Sequence, residues 1–231
     1  MPFHLKLLPS LITVPAIIIM LVLGTWQLER LEWKQDFIDT LNARTNVQPI
    51  SLPTELLTQS GDEFTPVYLE GMFDHSREVL LQNRTYEKSA GMHVLTPFVR
   101  GDGKGVVLVN RGWVPFEKPG QEYRKDSLVE GNKRIEGVIR FPIGQTSFVP
   151  DNNAEKDQWY FIDLGGMGDV MGYSLAPYYV MESKTGSDDV LPIGGQWKLT
   201  IPNNHLEYAL TWYSLALILL VIFIVYHRKK T

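Results

Sequence analysis

His205 is the residue of this chain whose type and setting most favour chemistry. It follows Asn203-Asn204 and opens the run His205-Leu-Glu-Tyr-Ala-Leu-Thr-Trp212, which passes into an uncharged stretch ending at Tyr226. On a helix, Tyr208, Ala209, Trp212 and Ala216 share its side, at spacings of three, four, seven and eleven. A neutral imidazole nitrogen is an iron ligand. Small alanines let a partner approach closely, and aromatic rings give flat apolar walls. The same spacing also makes a helix–helix seam with a histidine at the interface, and on geometry alone that is the plainer explanation.

The rest of the chain offers little competing chemistry. It has no Gly-x-Ser-x-Gly elbow, no phosphate-binding loop and no His-Glu-x-x-His pair, so enzymatic catalysis finds no support. The other histidines are scattered. His75 reads as a solvated turn residue after Asp74, His93 as a satisfied residue in a strand, and His4 and His227 as neighbours of the chain ends. The absence of cysteine removes disulfide exchange, c-type haem attachment, thiolate zinc sites and thiolate copper delivery together.

Two apolar elements must position His205. Residues 204–226 read as a transmembrane helix; from His205 to Tyr226 it is about 33 Å long, enough to cross a bilayer with some tilt. Pro202 stops the preceding segment, Asn204 is placed to N-cap the helix, and Glu207 takes the capping-box position. That start sets His205 in the first turn, at the water–lipid boundary beside the positive end of the helix dipole. The other span covers residues 7–28, with Pro9 and Pro15 inside it. It continues as an amphipathic helix to about residue 45, because Trp26, Arg30, Trp33, Phe37 and Leu41 recur at three- and four-residue spacing. Trp26 and Trp33 also suit an interface belt and a packing stripe.

Residues 1–6 and the basic tail 227–231 flank the spans. Lys6, Arg228, Lys229 and Lys230 lie at the outer ends, while the chain as a whole carries 26 acidic against 22 basic residues, a net −4. The positive-inside rule therefore places both ends in the cytoplasm and the acidic middle outside it. The acidic balance argues against nucleic acid as a partner. The first apolar run is longer than a signal-peptide core, and no Arg- and Ser-rich leader precedes it. The expected location is a bacterial inner (cytoplasmic) membrane, crossed twice, with the main domain periplasmic.

Residues 46–201 form that domain, long enough to bury a core of its own. Pro49 and Pro53 make its first stretch a linker. Short β-type runs follow at Pro66–Phe73, Glu78–Asn83, Met92–Arg100, Gly105–Val114, Lys133–Phe141, Trp159–Leu164 and Tyr178–Ser183, separated by Gly, Asp, Asn and Pro. Arg100-Gly-Asp-Gly-Lys-Gly105 joins two of them as a hairpin. The expected fold is membrane α+β: two transmembrane helices anchoring a β-rich, antiparallel, barrel- or sandwich-like domain. A short helix in Gly165–Leu175 is weakened by Gly165, Gly166, Gly168 and Gly172. Thr185–Gln196, with Asp188, Asp189, Pro192 and several glycines, reads as a flexible return loop.

Four motifs, in order along the chain, carry a resemblance: Leu23-Gly-Thr-Trp-Gln-Leu-Glu-Arg-Leu-Glu-Trp-Lys34, Gly91-Met-His-Val-Leu-Thr-Pro-Phe98, Val107-Leu-Val-Asn-Arg-Gly-Trp-Val-Pro115 and Asn203-Asn-His-Leu-Glu-Tyr-Ala-Leu-Thr-Trp212. Together they resemble the Surfeit-locus (Surf-one) family of cytochrome oxidase assembly factors. The resemblance implies assistance with haem a delivery or insertion into the core subunit of a haem–copper terminal oxidase. It implies haem a as a transient cargo, and as partners that core subunit, haem a synthase and membrane lipid. The family's haem-associated histidine falls on His205, which then ligates the haem iron. Trp26 and Arg30 match its first-helix positions, and Arg111 its Asn-Arg-Gly-Trp strand. Tyr208 and Trp212 would wall the haem, and Arg30 either pairs a propionate or snorkels to lipid headgroups. The alternative is a haem-free scaffold that holds the core subunit during assembly.

Overall fold

A computed structural model describes residues 7–184, 186–187, 190–197 and 203–228. His4, Lys6, Asp188, Asp189, Pro202, Lys229 and Lys230, which carried readings above, lie outside the described residues. The chain divides into two compact units, one made of residues 1–42 and 200–231 and the other of residues 43–199.

The first unit is a pair of helices. One, α1 (Leu7–Thr45), is unbroken from the apolar run into the amphipathic continuation, and Pro15 lies inside it without ending it. In an apolar helix, neighbouring helices and local adjustment can satisfy the backbone groups a proline frees. The other runs from His205 to Arg228. Each is long and apolar enough to cross a bilayer.

They pair antiparallel. Ser10 meets His227 at one end (3.3 Å) and Gln27 meets His205 at the other (2.7 Å). Between these ends the seam is made of small residues: Gly24, Ala209 and Ala216 are buried. His227, read as the start of the basic tail 227–231, instead lies in the last turn of the helix that opens at His205 and is fully buried. Its Nδ1 donates to the Phe223 carbonyl at 2.8 Å, so in the neutral ring Nε2 accepts the Ser10 hydroxyl.

The second unit is β-rich. Its elements are β1 (Ile50–Ser51), α2 (Gln59–Asp62), β2 (Pro66–Phe73), β3 (Val79–Tyr86), β4 (Ser89–Arg100), β5 (Val106–Pro115), β6 (Lys133–Arg140), α3 (Leu164–Met171) and β7 (Leu175–Glu182), with short 3-10 turns between. The helix opening at His205 is α4. The sheet order is β1-β2-β6-β7-β5-β4-β3, and β2 also pairs with β4, which closes β2-β6-β7-β5-β4 into a five-stranded barrel. Gly71 permits that closure: a Cβ there would lie 2.1 Å from the Val99 carbonyl oxygen of the closing strand.

Val67, Leu69, Phe98, Val107, Val109, Ile135, Ile139 and Val180 fill the barrel. The intervening residues Leu95, Leu108, Val138, Tyr179 and Met181 face outward under Trp159, Met167 and Met171. Central strands are therefore buried on both faces. This explains why Tyr178-Tyr-Val-Met181 is continuously apolar where a half-exposed strand would alternate.

Three sequence expectations change. The sheet is not wholly antiparallel, because β7 pairs parallel with β5 and β1 with β2. Ile50–Ser51, read as linker, forms the short strand β1. Trp159–Leu164, read as a strand, is not one. Trp159 makes a single bridge to Leu81 and buries its ring in the core, and the run ends at Asp163, the N-cap of α3.

The glycine-rich helix does form. Asp163 accepts from the Gly166 N–H at 3.1 Å, and Gly172 closes the helix in the left-handed conformation. Asp163→Ala is expected to cost about 1 kcal/mol, read as a lower denaturant midpoint with an unchanged slope.

Candidate functional site

The site is built where the two helices of the first unit meet at the His205 end. The Tyr208 N–H donates to the Asn204 carbonyl at 3.3 Å, so the helical ladder begins there and His205 takes the first helical position. The His205 ring is held from α1. Its Nδ1 lies 2.7 Å from Oε1 of Gln27, and a carbonyl oxygen can only accept, so the proton sits on Nδ1. The neutral ring then keeps its free lone pair on Nε2. A histidine whose remote nitrogen is pinned in this way is a preorganised metal ligand.

Asn203 braces the same corner. Its Nδ2 donates to the Leu31 carbonyl at 3.4 Å, and its Oδ1 is buried with no partner among the described residues. One turn further along, Gly24 packs directly beneath the Tyr213 ring, whose hydroxyl lies 3.1 Å from Thr25 Oγ1. The Gly-Thr-Trp-Gln motif of α1 thus meets α4 through Gly24 and Thr25, which contact Tyr213, and through Gln27, which contacts His205 of the Asn-Asn-His motif, and not through its tryptophan.

The other residues singled out from sequence are placed around this pair. Ala209 and Ala216 lie in the seam, as the spacing predicts, and Trp212 is half-buried beside them. Trp26, Arg30 and Tyr208 are exposed on the outer faces of their helices. The Arg30 guanidinium sits 4.5 Å from the Trp33 ring centroid, and Trp33 stacks on Phe37 at 6.2 Å. Among the described residues, no hydrogen bond, ion pair or ring contact joins Trp26, Arg30, Tyr208 or Trp212 to His205.

Arg111 belongs to the β-domain, where its Nε lies 3.7 Å from Oε2 of the buried Glu182. His75 is also more enclosed than its turn suggested: Phe73 packs on its ring and its Nε2 lies 3.2 Å from the Val129 carbonyl. No cluster of three or more His, Asp or Glu able to hold a metal ion occurs among the described residues. Any metal bound at His205 would therefore bring most of its own ligands, as a porphyrin iron does.

Sequence reasoning missed Gln27 and Asn203 as site residues. Gln27 carried a signal: it is an uncharged polar residue at the end of an apolar span, one turn from a glycine, the pattern of polar contacts between membrane helices.

Comparisons with known proteins agree with these motifs. Residues 14–217 match the model of the SURF1 family. The chain is 36% identical over 231 residues to a SURF1-like protein of Monosiga brevicollis, covering 95% of this chain and 87% of that one. It is 34% identical over 209 residues to Surfeit locus protein 1 of Homo sapiens, covering 84% and 69%. It is 36% identical over 208 residues to Surfeit locus protein 1 of Takifugu rubripes, covering 84% and 86%. The chain belongs to the SURF1 family, known as cytochrome oxidase assembly factors.

Proposed function

We propose that this protein assists assembly of a haem–copper terminal oxidase by holding haem a transiently through Nε2 of His205 and passing it to the core subunit. The hydrogen bond from His205 Nδ1 to Gln27 carries this reading, because it fixes the tautomer that leaves Nε2 free. The Oδ1 of Asn203, two residues before His205, is buried with no partner among the described residues and adds an unsatisfied polar group to this corner. Exposed Trp26 and Tyr208, with half-buried Trp212, supply apolar surface for a largely apolar porphyrin. Arg30 is exposed on α1 and could pair a propionate. A carrier must also release its cargo, which suits a site on the outer margin of a two-helix seam better than a closed cavity.

The proposed home is a bacterial inner membrane with the β-domain periplasmic. The antiparallel pairing supports the topological part of this reading, since two spans that run in opposite directions return both chain ends to one side.

The test is a haem spectrum. The full chain is co-expressed with haem a synthesis, purified in mild detergent and examined for a Soret band. Wild type is expected to show the band and His205→Ala to lose it. Gln27→Leu should lower haem affinity roughly 10–100-fold, the usual cost of removing the group that orients a metal-ligating histidine. A wild-type preparation without a Soret band, or an unchanged band in His205→Ala, overturns the carrier. A haem-free protein that still cross-links to the oxidase core subunit would establish the scaffold role instead.

A further inference from the structure

The outer face of the barrel carries a cavity of about 220 Å³, remote in sequence from the His205 motif. Its polar lining comes from five strands: Arg84 of β3, His93 of β4, Asn110 of β5, Arg140 of β6 and Tyr179 of β7. Phe161, from the segment between β6 and α3, contributes to its apolar wall.

The hydrogen-bonding sense of this lining is fixed by the backbone. The Gly112 N–H can only donate, and it does so to Asn110 Oδ1 at 3.1 Å. The amide nitrogen of Asn110 therefore points to His93, whose Nδ1 accepts at 2.9 Å. A neutral His93 with Nδ1 accepting carries its proton on Nε2. Burial, reinforced by the nearby Arg84 charge, pushes the His93 imidazole down to about 3, so the ring is neutral near pH 7. Nε2–H has no partner among the described residues and is a fixed neutral donor.

Arg84 is the charge that lacks a counterpart. Its guanidinium donates to two backbone carbonyls, those of Asn83 (3.1 Å) and Tyr160 (2.9 Å), and no described carboxylate pairs with it. The ionisable groups in its electrostatic reach are the Tyr179 phenol and the His93 imidazole, neither of them an acid that is charged near pH 7. The other arginine of the lining, Arg140, is committed to Glu63 at 3.1 Å. A half-buried guanidinium without an acid, beside a donor-only imidazole edge, is an anion site by composition.

We propose that this cavity binds a short-chain monocarboxylate, its carboxylate held by Arg84 and His93 Nε2–H and its tail against the apolar wall. The volume, below the ~300 Å³ usual for drug-sized ligands, suits a short-chain acid better than a porphyrin or a nucleotide. The apolar wall favours an alkyl tail over a fully hydrated inorganic anion.

Calorimetric titration of the detergent-solubilised full chain with hexanoate tests this. Wild type is expected to bind hexanoate with a Kd of about 1 mM or tighter, and hexanol and inorganic phosphate at least ~tenfold more weakly. Arg84→Leu should lose hexanoate by a similar factor. Arg84→Lys keeps a cation without the planar fork and should fall between them, so the test survives if the leucine variant does not fold. No hexanoate binding by wild type, equal binding of hexanol or phosphate, or an Arg84→Lys variant that binds as wild type does would each overturn the assignment.

Discussion

Replacing Arg111 with leucine is expected to destabilise the β-domain by about 3–5 kcal/mol, the cost of stranding one member of a buried ion pair. Arg111 and Glu182 are each about 95% buried, at 4% and 5% exposure. Besides the 3.7 Å approach to Glu182, the Arg111 guanidinium donates to the Ser127 carbonyl at 2.7 Å and lies 4.7 Å from the Phe73 ring centroid. It thereby helps hold the irregular stretch 116–132, which has only two short 3-10 turns of its own. Arg124 holds the same stretch through a two-pronged bond to Glu78, and Gln121 through the His75 carbonyl at 2.7 Å. Denaturant unfolding of the full chain in detergent, followed by tryptophan fluorescence, measures the loss. Arg111→Leu combined with Glu182→Leu should be more stable than Arg111→Leu alone, since no buried charge is then left unpaired. Single and double variants of equal stability would show that the pair is not coupled.

The same pair predicts a pH dependence. Burial raises the Glu182 carboxyl above its ordinary value, with Arg111 and Lys133 opposing the shift. Between the ordinary glutamate value and the raised one, the folded domain therefore keeps a proton that the unfolded chain releases. The stability this contributes is complete below the ordinary glutamate range and is lost as pH rises through the folded value. His93 runs the other way: its depressed value gives stability that is present above about pH 6.5 and falls as pH drops toward about 3. The difference between wild type and Glu182→Gln isolates the first effect. The wild type should lose stability relative to the variant as pH rises above the ordinary glutamate range.

Much of this arrangement was legible in sequence because the signal was local. Strand β2 falls on the predicted Pro66–Phe73, and α1 is continuous because its apolar and amphipathic stretches share one helical period. What was not legible depended on distant partners. The parallel pairing of β7 with β5 follows from where the 141–174 crossover delivers the strand, which no residue of β7 encodes. Strand β1 is two residues long and gains its pairing only from β2. The run after Trp159 looked like a strand because it is apolar, but Trp159 is apolar in order to fill the face beneath α3. The glycines of α3 hid a helix whose ends are set by Asp163 and Gly172. At the site, His205 stood out by its height at a helix start. Its partner Gln27 did not, because the bond that gives it meaning spans 178 residues of sequence. Asn110 and Arg111, adjacent in one motif, act on opposite faces of β5, one orienting His93 and the other meeting Glu182.

Gly24→Leu is expected to push α1 and α4 apart by about 2 Å, the difference between small and large residues at a helix contact. A Cβ at position 24 would already lie 2.9 Å from the Tyr213 ring. The ring has little freedom to yield, because its hydroxyl is held by Thr25. Separation at Gly24 is transmitted one turn along to Gln27, which can no longer reach His205, and the imidazole loses the bond that fixes its proton. The chain has no cysteine, so spin labels can be placed uniquely at Leu28→Cys and Leu206→Cys, both exposed. Electron–electron distance measurements in lipid nanodiscs should show a longer and broader distribution for Gly24→Leu than for the parent. Adding Tyr213→Ala to Gly24→Leu removes the obstructing ring and should restore the parent distance. An unchanged distribution in Gly24→Leu would mean that the helices are not held at this contact. The readout needs no haem, so it separates a seam that fails to form from a seam that forms and fails to bind.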